Sequence, residues 1–112
     1  MSLNLHVRLD GEYLDLPQIG TDDTEWILFG DKGDDGSSID HQAVMKRLGE
    51  FFAGWARGIV EHEARRKGVK GDPFKGREKN WWNRQLQEQM EDFDMRYLSR
   101  IRNAKGVTWE MW

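Results

Sequence analysis

The densest set of oxygen donors in the chain is FGDKGDDGSSID, Phe29 to Asp40, with four aspartates and three glycines in twelve residues. A calcium loop of the helix-loop-helix kind needs oxygen ligands at positions one, three and five, glycine at six and a bidentate acid at twelve. Counted from Asp31, position three is Gly33, five is Asp35, six is Gly36 and twelve is Gln42. Two ligand positions therefore fail. Ser37 or Ser38 is a suitable N-cap, and Ser37-Ser38-Ile39-Asp40 resembles a capping box with aspartate in its last place. The expected role is a turn and cap that starts a helix, ahead of adventitious calcium. A phosphate cradle is also excluded, because no Lys-Ser/Thr pair follows the last glycine and Asp34 and Asp35 would repel an anion.

The other chemistry-bearing residues are scattered. His62-Glu63 opens like a zinc-peptidase motif, but Arg66 stands where the second histidine belongs. His41 and His62 fall on an apolar helical stripe, where a hydrogen-bonded imidazole is the expected state. No serine sits in a nucleophile elbow. The chain is therefore expected to be no enzyme, with no cofactor and no metal site.

The sharpest feature is ARRKGVKGDPFKGREKNWWNR, residues 64–84. Eight bases stand against Asp72 and Glu78, with Phe74, Trp81 and Trp82 interleaved. Arg65, Arg66, Lys70, Phe74, Lys75, Arg77, Trp81 and Arg84 are the candidate partner-binding residues. Tryptophan and arginine anchor protein interfaces. The same types also neutralise phosphates and stack on bases. The leading expectation is a protein partner, and the alternative is a nucleic acid met by the same edge. A further alternative is a small anionic ligand with the basic loop as its lid. Against all of these stands a solvated loop with one indole packed in the core. An isoelectric point near 5.6 weighs against nucleic acid, whose binding domains are usually basic.

Charge is unevenly placed. Asp10 to Asp40 holds ten acids and one base, whereas His41 to Trp112 holds fifteen bases and ten acids. Such halves serve a partner of opposite sign or attract each other. There is no cysteine, which removes disulfides and thiolate chemistry. MSLNLHVRLD has no continuous apolar stretch of the kind a secretory leader needs. No run approaches a membrane span. A cytoplasmic protein without membrane contact is the expectation. Six tryptophans, five phenylalanines and two tyrosines supply enough bulk for one core in 112 residues.

The elements that must position these residues follow from pattern. Leu3, Leu5, Val7 and Leu9 alternate with polar residues up to Asp10-Gly11, a pair suited to a tight turn. Folding there sets Leu9 opposite Glu12, Val7 opposite Leu14, and Arg8 opposite Tyr13. TEWILF, Thr24 to Phe29, reads as a third strand. A long amphipathic helix over 38–67 carries His41, Met45, Leu48, Phe52, Trp55, Ile59 and His62 on one stripe. Gly68 suits its C′ cap. Gly49, Gly54 and Gly58 inside it each cost about 1 kcal/mol relative to alanine. Gly54 and Gly58 lie one turn apart, where a helix or an indole could approach the backbone. A second helix over 80–103 buries Trp82, Leu86, Met90, Phe93, Tyr97 and Ile101, and residues 107–112 alternate in a pattern that suits either a further strand of the sheet or an ordered tail.

The predicted fold is a single α+β domain over residues 1–112. A small antiparallel sheet packs on an antiparallel hairpin of two long helices. Helices of about 25 residues span roughly 37 Å, so their far ends are expected to meet a second copy or another protein. In general character the chain, being short, tryptophan-rich and cysteine-free, resembles the small accessory proteins of bacteriophages. That resemblance of character, rather than of motif, implies a host factor as partner.

Overall fold

The computed structural model describes residues 3–30, 39–76 and 80–112, with the backbone alone at Asn80. β1 (Leu5–Leu9) turns at Asp10-Gly11 into β2 (Glu12–Tyr13). Both turn residues have positive φ, 53° and 91°, as this tight turn requires. Arg8 pairs with Tyr13 and Leu9 with Glu12, and the Leu14 amide donates to the Val7 carbonyl, which is the predicted register. β3 (Val107–Met111) lies antiparallel on the other side of β1, giving the order β2-β1-β3. Asp10 also secures that pairing, because its Oδ1 accepts the Gly106 amide at 2.7 Å.

The two faces of this sheet differ. Leu5, Val7 and Trp109 face inward and are buried. On the outer face Glu110 accepts hydrogen bonds from Arg8 Nε at 2.8 Å, from the Tyr13 hydroxyl at 2.8 Å and from Trp112 Nε1 at 3.0 Å. The His6 ring stacks on Trp112 with centroids 3.5 Å apart. The bond from Tyr13, then that from Trp112, holds the Glu110 carboxyl below the usual carboxylate range. The same bond, with the nearby negative charge, raises the Tyr13 hydroxyl above its ordinary value.

The third strand of the sheet is thus the C-terminal one. Residues 24–29, predicted as a strand, belong instead to helix α1 (Thr21–Phe29). The reason lies in burial. Thr24, Ile27 and Leu28 are all buried, and their spacing places them on one side of a helix. A strand would send Ile27 and Leu28 to opposite faces. Asp22 and Asp23 in the first turn favour the helix dipole, and the Thr24 hydroxyl donates to the Ile19 carbonyl at 3.0 Å. Gly30 ends the helix at φ 69°, ψ −154°, a conformation essentially reserved for glycine.

α2 (His41–Arg66) starts at Asp40, whose side chain accepts the Gln42 amide. The cap is therefore Asp40 rather than Ser37 or Ser38. Those serines and Asp31–Asp35, with the question of calcium there, lie outside the described residues. At the other end, Gly68 donates to the Arg65 carbonyl and Val69 to the Ala64 carbonyl, the paired bonds of a Schellman cap. The buried line along α2 runs Val44, Leu48, Phe52, Ala56, Val60, Ala64. A strict four-residue repeat advances about 40° per step on a helix of 3.6 residues per turn. The line therefore winds about halfway round the helix. Its first half meets the sheet and α1, and its second half meets the next helix. Ile59 and His62, predicted on the buried stripe, are left exposed by that rotation.

α3 (Asn80–Phe93) continues through a π turn (Asp94–Leu98) into α4 (Ser99–Asn103). The Ser99 amide reaches the Asp94 carbonyl, five residues back. Phe93 and Tyr97, four apart on one face, both stack on Phe52, at 5.0 and 5.2 Å between centroids, and the extra residue of the wider turn brings Ile101 back to the face of Phe93. Late α2 meets early α3 (Val60 and Ala64 with Trp82) and early α2 meets its continuation, so the two run in opposite senses. Met90, predicted as buried, is 39 % exposed.

The core has two parts. The larger joins the sheet, α1, early α2, Phe93 and Ile101. The smaller, Val60, Ala64 and Trp82, lies farther along α2 and is closed by Val69, Phe74 and Leu86. The far ends of the helices are thus covered partly by the chain's own 68–76 segment. Among the described residues no helix is long and apolar enough to cross a membrane.

Candidate functional site: a tryptophan groove between the long helices

Adjacent residues on a helix point about 100° apart, so Trp81 and Trp82 cannot share one environment. Trp82 turns inward and is 8 % exposed, packed against Val60 and Ala64. The small side chain at Ala64 leaves room for the indole. Trp81 turns outward and is 47 % exposed. The two rings meet edge to face, with centroids 4.5 Å apart.

Across from them, α2 contributes Trp55, Gly58 and Ile59. Together these residues bound a cavity of about 530 Å³, with Val60, His62, Glu63, Gln85 and Gln89 completing its lining. Ile59 is 41 % exposed on its edge. A side chain begun at Gly54 or Gly58 would meet nothing within 4 Å. Among the described residues none uses the close backbone approach that those glycines offer. Gly58 instead forms part of the groove lining, where any larger residue would reduce its depth.

The rim is basic. Lys67 Nζ sits 5.2 Å from the Trp81 centroid and 5.9 Å from that of Trp82, within reach of both ring faces. Glu63, the one acid in the lining, faces Arg66 and Lys67 at 3.8 Å each, so its charge is opposed by two cations. Arg65, Arg66, Lys70, Lys75 and Arg84 are all exposed. The last turn of α2, the first turns of α3 and the 68–76 segment bring them to one end of the molecule. Arg77 lies outside the described residues.

Phe74 takes a different place from the one its sequence suggests. It is half-buried against the smaller core, beneath the Arg57 guanidinium at 4.6 Å. Its amide donates to Asp72 and its carbonyl accepts from Asn83. Pro73 beside it is fully buried. Phe74 therefore anchors the segment, and the aromatic offered outward is Trp81 alone of the three interleaved in this stretch. Sequence reasoning passed over Trp55, Ile59 and Lys67 as site residues. The two apolar ones lie on a helical stripe, and nothing local marks a stripe residue as uncovered. Gly58 was the available signal, a helix-weakening residue between them.

The histidines are dispersed among His6 on the sheet, His41 beside Trp109 and His62 at the groove. Among the described residues no three His, Asp or Glu side chains converge on a point where an ion could sit. No family model, curated protein or solved structure matches the chain.

Proposed function

We propose that the chain is a small non-enzymatic binding protein. Its groove between α2 and α3 receives an apolar anchor from an acidic segment of a protein partner, and the basic rim holds that segment's charge. The observation that carries this reading is Trp81, about half exposed beside an apolar hollow, with Lys67 Nζ 5.2 Å from its ring and Arg65, Arg66 and Arg84 exposed on the adjoining turns of α2 and α3. Exposed tryptophan is costly to leave in water, and tryptophan and arginine dominate binding energy where interfaces have been dissected. The hollow falls within the range of ordinary ligand pockets, about 300–1,000 Å³, and accommodates one or two large side chains.

Affinity capture with the tagged protein tests this, run beside Trp81→Ala and an Arg65→Glu, Arg66→Glu double variant. A stoichiometric protein should be recovered by the native chain, survive nuclease, and be lost with both variants. Its retention should weaken only modestly between 50 and 200 mM salt, because the rim charges are screened while the apolar anchor is not. Material that vanishes with nuclease, and whose binding collapses over that salt range, would instead favour nucleic acid as the occupant of the same edge.

A further inference from the structure

β3 is an edge strand. Asn4 and Trp112 exchange both backbone hydrogen bonds, and Asp10 donates to Gly106. In an antiparallel ladder the bonded pairs alternate. The amides and carbonyls of Thr108, Glu110 and Trp112 therefore face β1. Those of Val107, Trp109 and Met111 point away from it, and no partner for them exists among the described residues. Edge strands in soluble proteins are commonly guarded by proline, lysine, a bulge or extreme shortness. VTWEM has five residues, neither proline nor lysine, and regular pairing throughout.

We propose that this edge pairs with the same edge of a second copy, antiparallel and centred on Trp109. The unpaired groups are symmetric about that residue, as a two-fold interface requires. Trp109 would exchange both bonds with its counterpart, and Val107 with Met111 on either side. The register also satisfies charge. Glu110 of one copy falls opposite Thr108 of the other, never opposite itself, and is already balanced by Arg8. The inner face continues as Trp109 beside Trp109, so the apolar side of one sheet extends into the next. An unrelated extended segment would gain the backbone bonds but would not be specified by this match.

The interface shares no residue with the groove, so its failure leaves the proposed function untouched. Sedimentation equilibrium of the full chain should show a reversible monomer–dimer equilibrium. Thr108→Lys, whose side chain stands on the outer face and leaves the outward amides free, sets a cation opposite Glu110 of the second copy and should tighten the dimer, at a cost in monomer stability because residue 108 also faces Arg8 of its own chain. Thr108→Glu sets like charges opposite each other and should weaken the dimer. Each change should be about three- to tenfold over the two symmetry-related pairs. Trp81→Ala should leave the constant unchanged. Exchange of the Val107, Trp109 and Met111 amides should slow as concentration rises. The Thr108 and Glu110 amides should show no such dependence. Thermal melts of both Thr108 variants verify folding, and the opposite directions expected of them keep the test decisive if one is unstable. A monomer up to about 1 mM, or a dimer indifferent to the charge at 108, would overturn the proposal.

Discussion

The Trp109 indole N–H donates to Nδ1 of His41 at 3.1 Å, tying the last strand to the first residue of α2. Indole nitrogen only donates, so His41 must present a lone pair at Nδ1 and carry its proton on Nε2. His41→Ala should lower stability by about 1 kcal/mol, read from the urea midpoint at unchanged slope. A loss below about 0.3 kcal/mol would mean that water replaces the bond without cost.

Arg47 of α2 reaches back to α1, donating from Nε to the Ile27 carbonyl at 2.8 Å and from Nη2 to the Leu28 carbonyl at 3.2 Å. These are carbonyls at a helix end with no helical partner of their own. Arg47→Ala should cost about 2 kcal/mol. Arg47→Lys should recover less than half of it, because one ammonium cannot reproduce the fork. Gly30→Ala should cost about 1–3 kcal/mol, since its backbone is at φ 69° and a new Cβ would stand 3.1 Å from the Arg47 guanidinium. Denaturant titration of the three variants checks the set.

The outer sheet face makes a pH prediction with a definite sign. Glu110 titrates lower when folded than unfolded, so its contribution is full above the ordinary carboxylate range. It is lost as pH falls through the depressed value. Tyr13 titrates higher when folded, so its contribution holds below the ordinary phenol value and is lost as pH rises through the raised one. Melting temperature should therefore show a plateau that sags at both ends. Glu110→Gln should lie below the native chain at neutral pH and converge with it in strong acid. Parallel curves over the whole range would contradict the assignment.

Gly54 and Gly58 separate folding from function. A methyl at either meets nothing within 4 Å among the described residues, so Gly54→Ala and Gly58→Ala should each stabilise by about 0.8 kcal/mol through helix propensity. Gly58→Leu should fold equally well yet weaken partner binding, because its side chain enters the groove. Gly54→Leu, away from the lining, should bind normally. Calorimetric melts and binding of the same four proteins give both readouts.

Much of the architecture is legible locally. Asp10-Gly11 and the alternation around it specify the hairpin and its register, and Arg65 to Gly68 mark the end of α2 by dipole and cap. The alternation of Val107, Trp109 and Met111 marks β3. TEWILF is illegible by apolar content alone, since a short apolar run suits a buried strand or a buried helix. The spacing of Thr24, Ile27 and Leu28 carried the helical signal, and the carbonyl contacts from Arg47, a residue twenty positions away, help hold that outcome. The groove is harder still. Whether Ile59 is core or surface depends on how far the buried line has turned by that point of α2. That follows from where α3 lies, not from Ile59 or its neighbours.

The π turn at Asp94–Leu98 holds one more residue than an α-helical turn would need between the same flanking faces. Elsewhere in α3, losing a residue would rotate everything downstream by about 100° and pull Ile101 out of the core. Within the turn the same loss would close an ordinary α-helix, leaving Phe93 and Ile101 still facing inward. This short segment is where the chain's length is negotiable. Relatives differing by a single-codon deletion would be expected to differ there, and a deletion scan along residues 84–103 should find its one permissive window at 94–98.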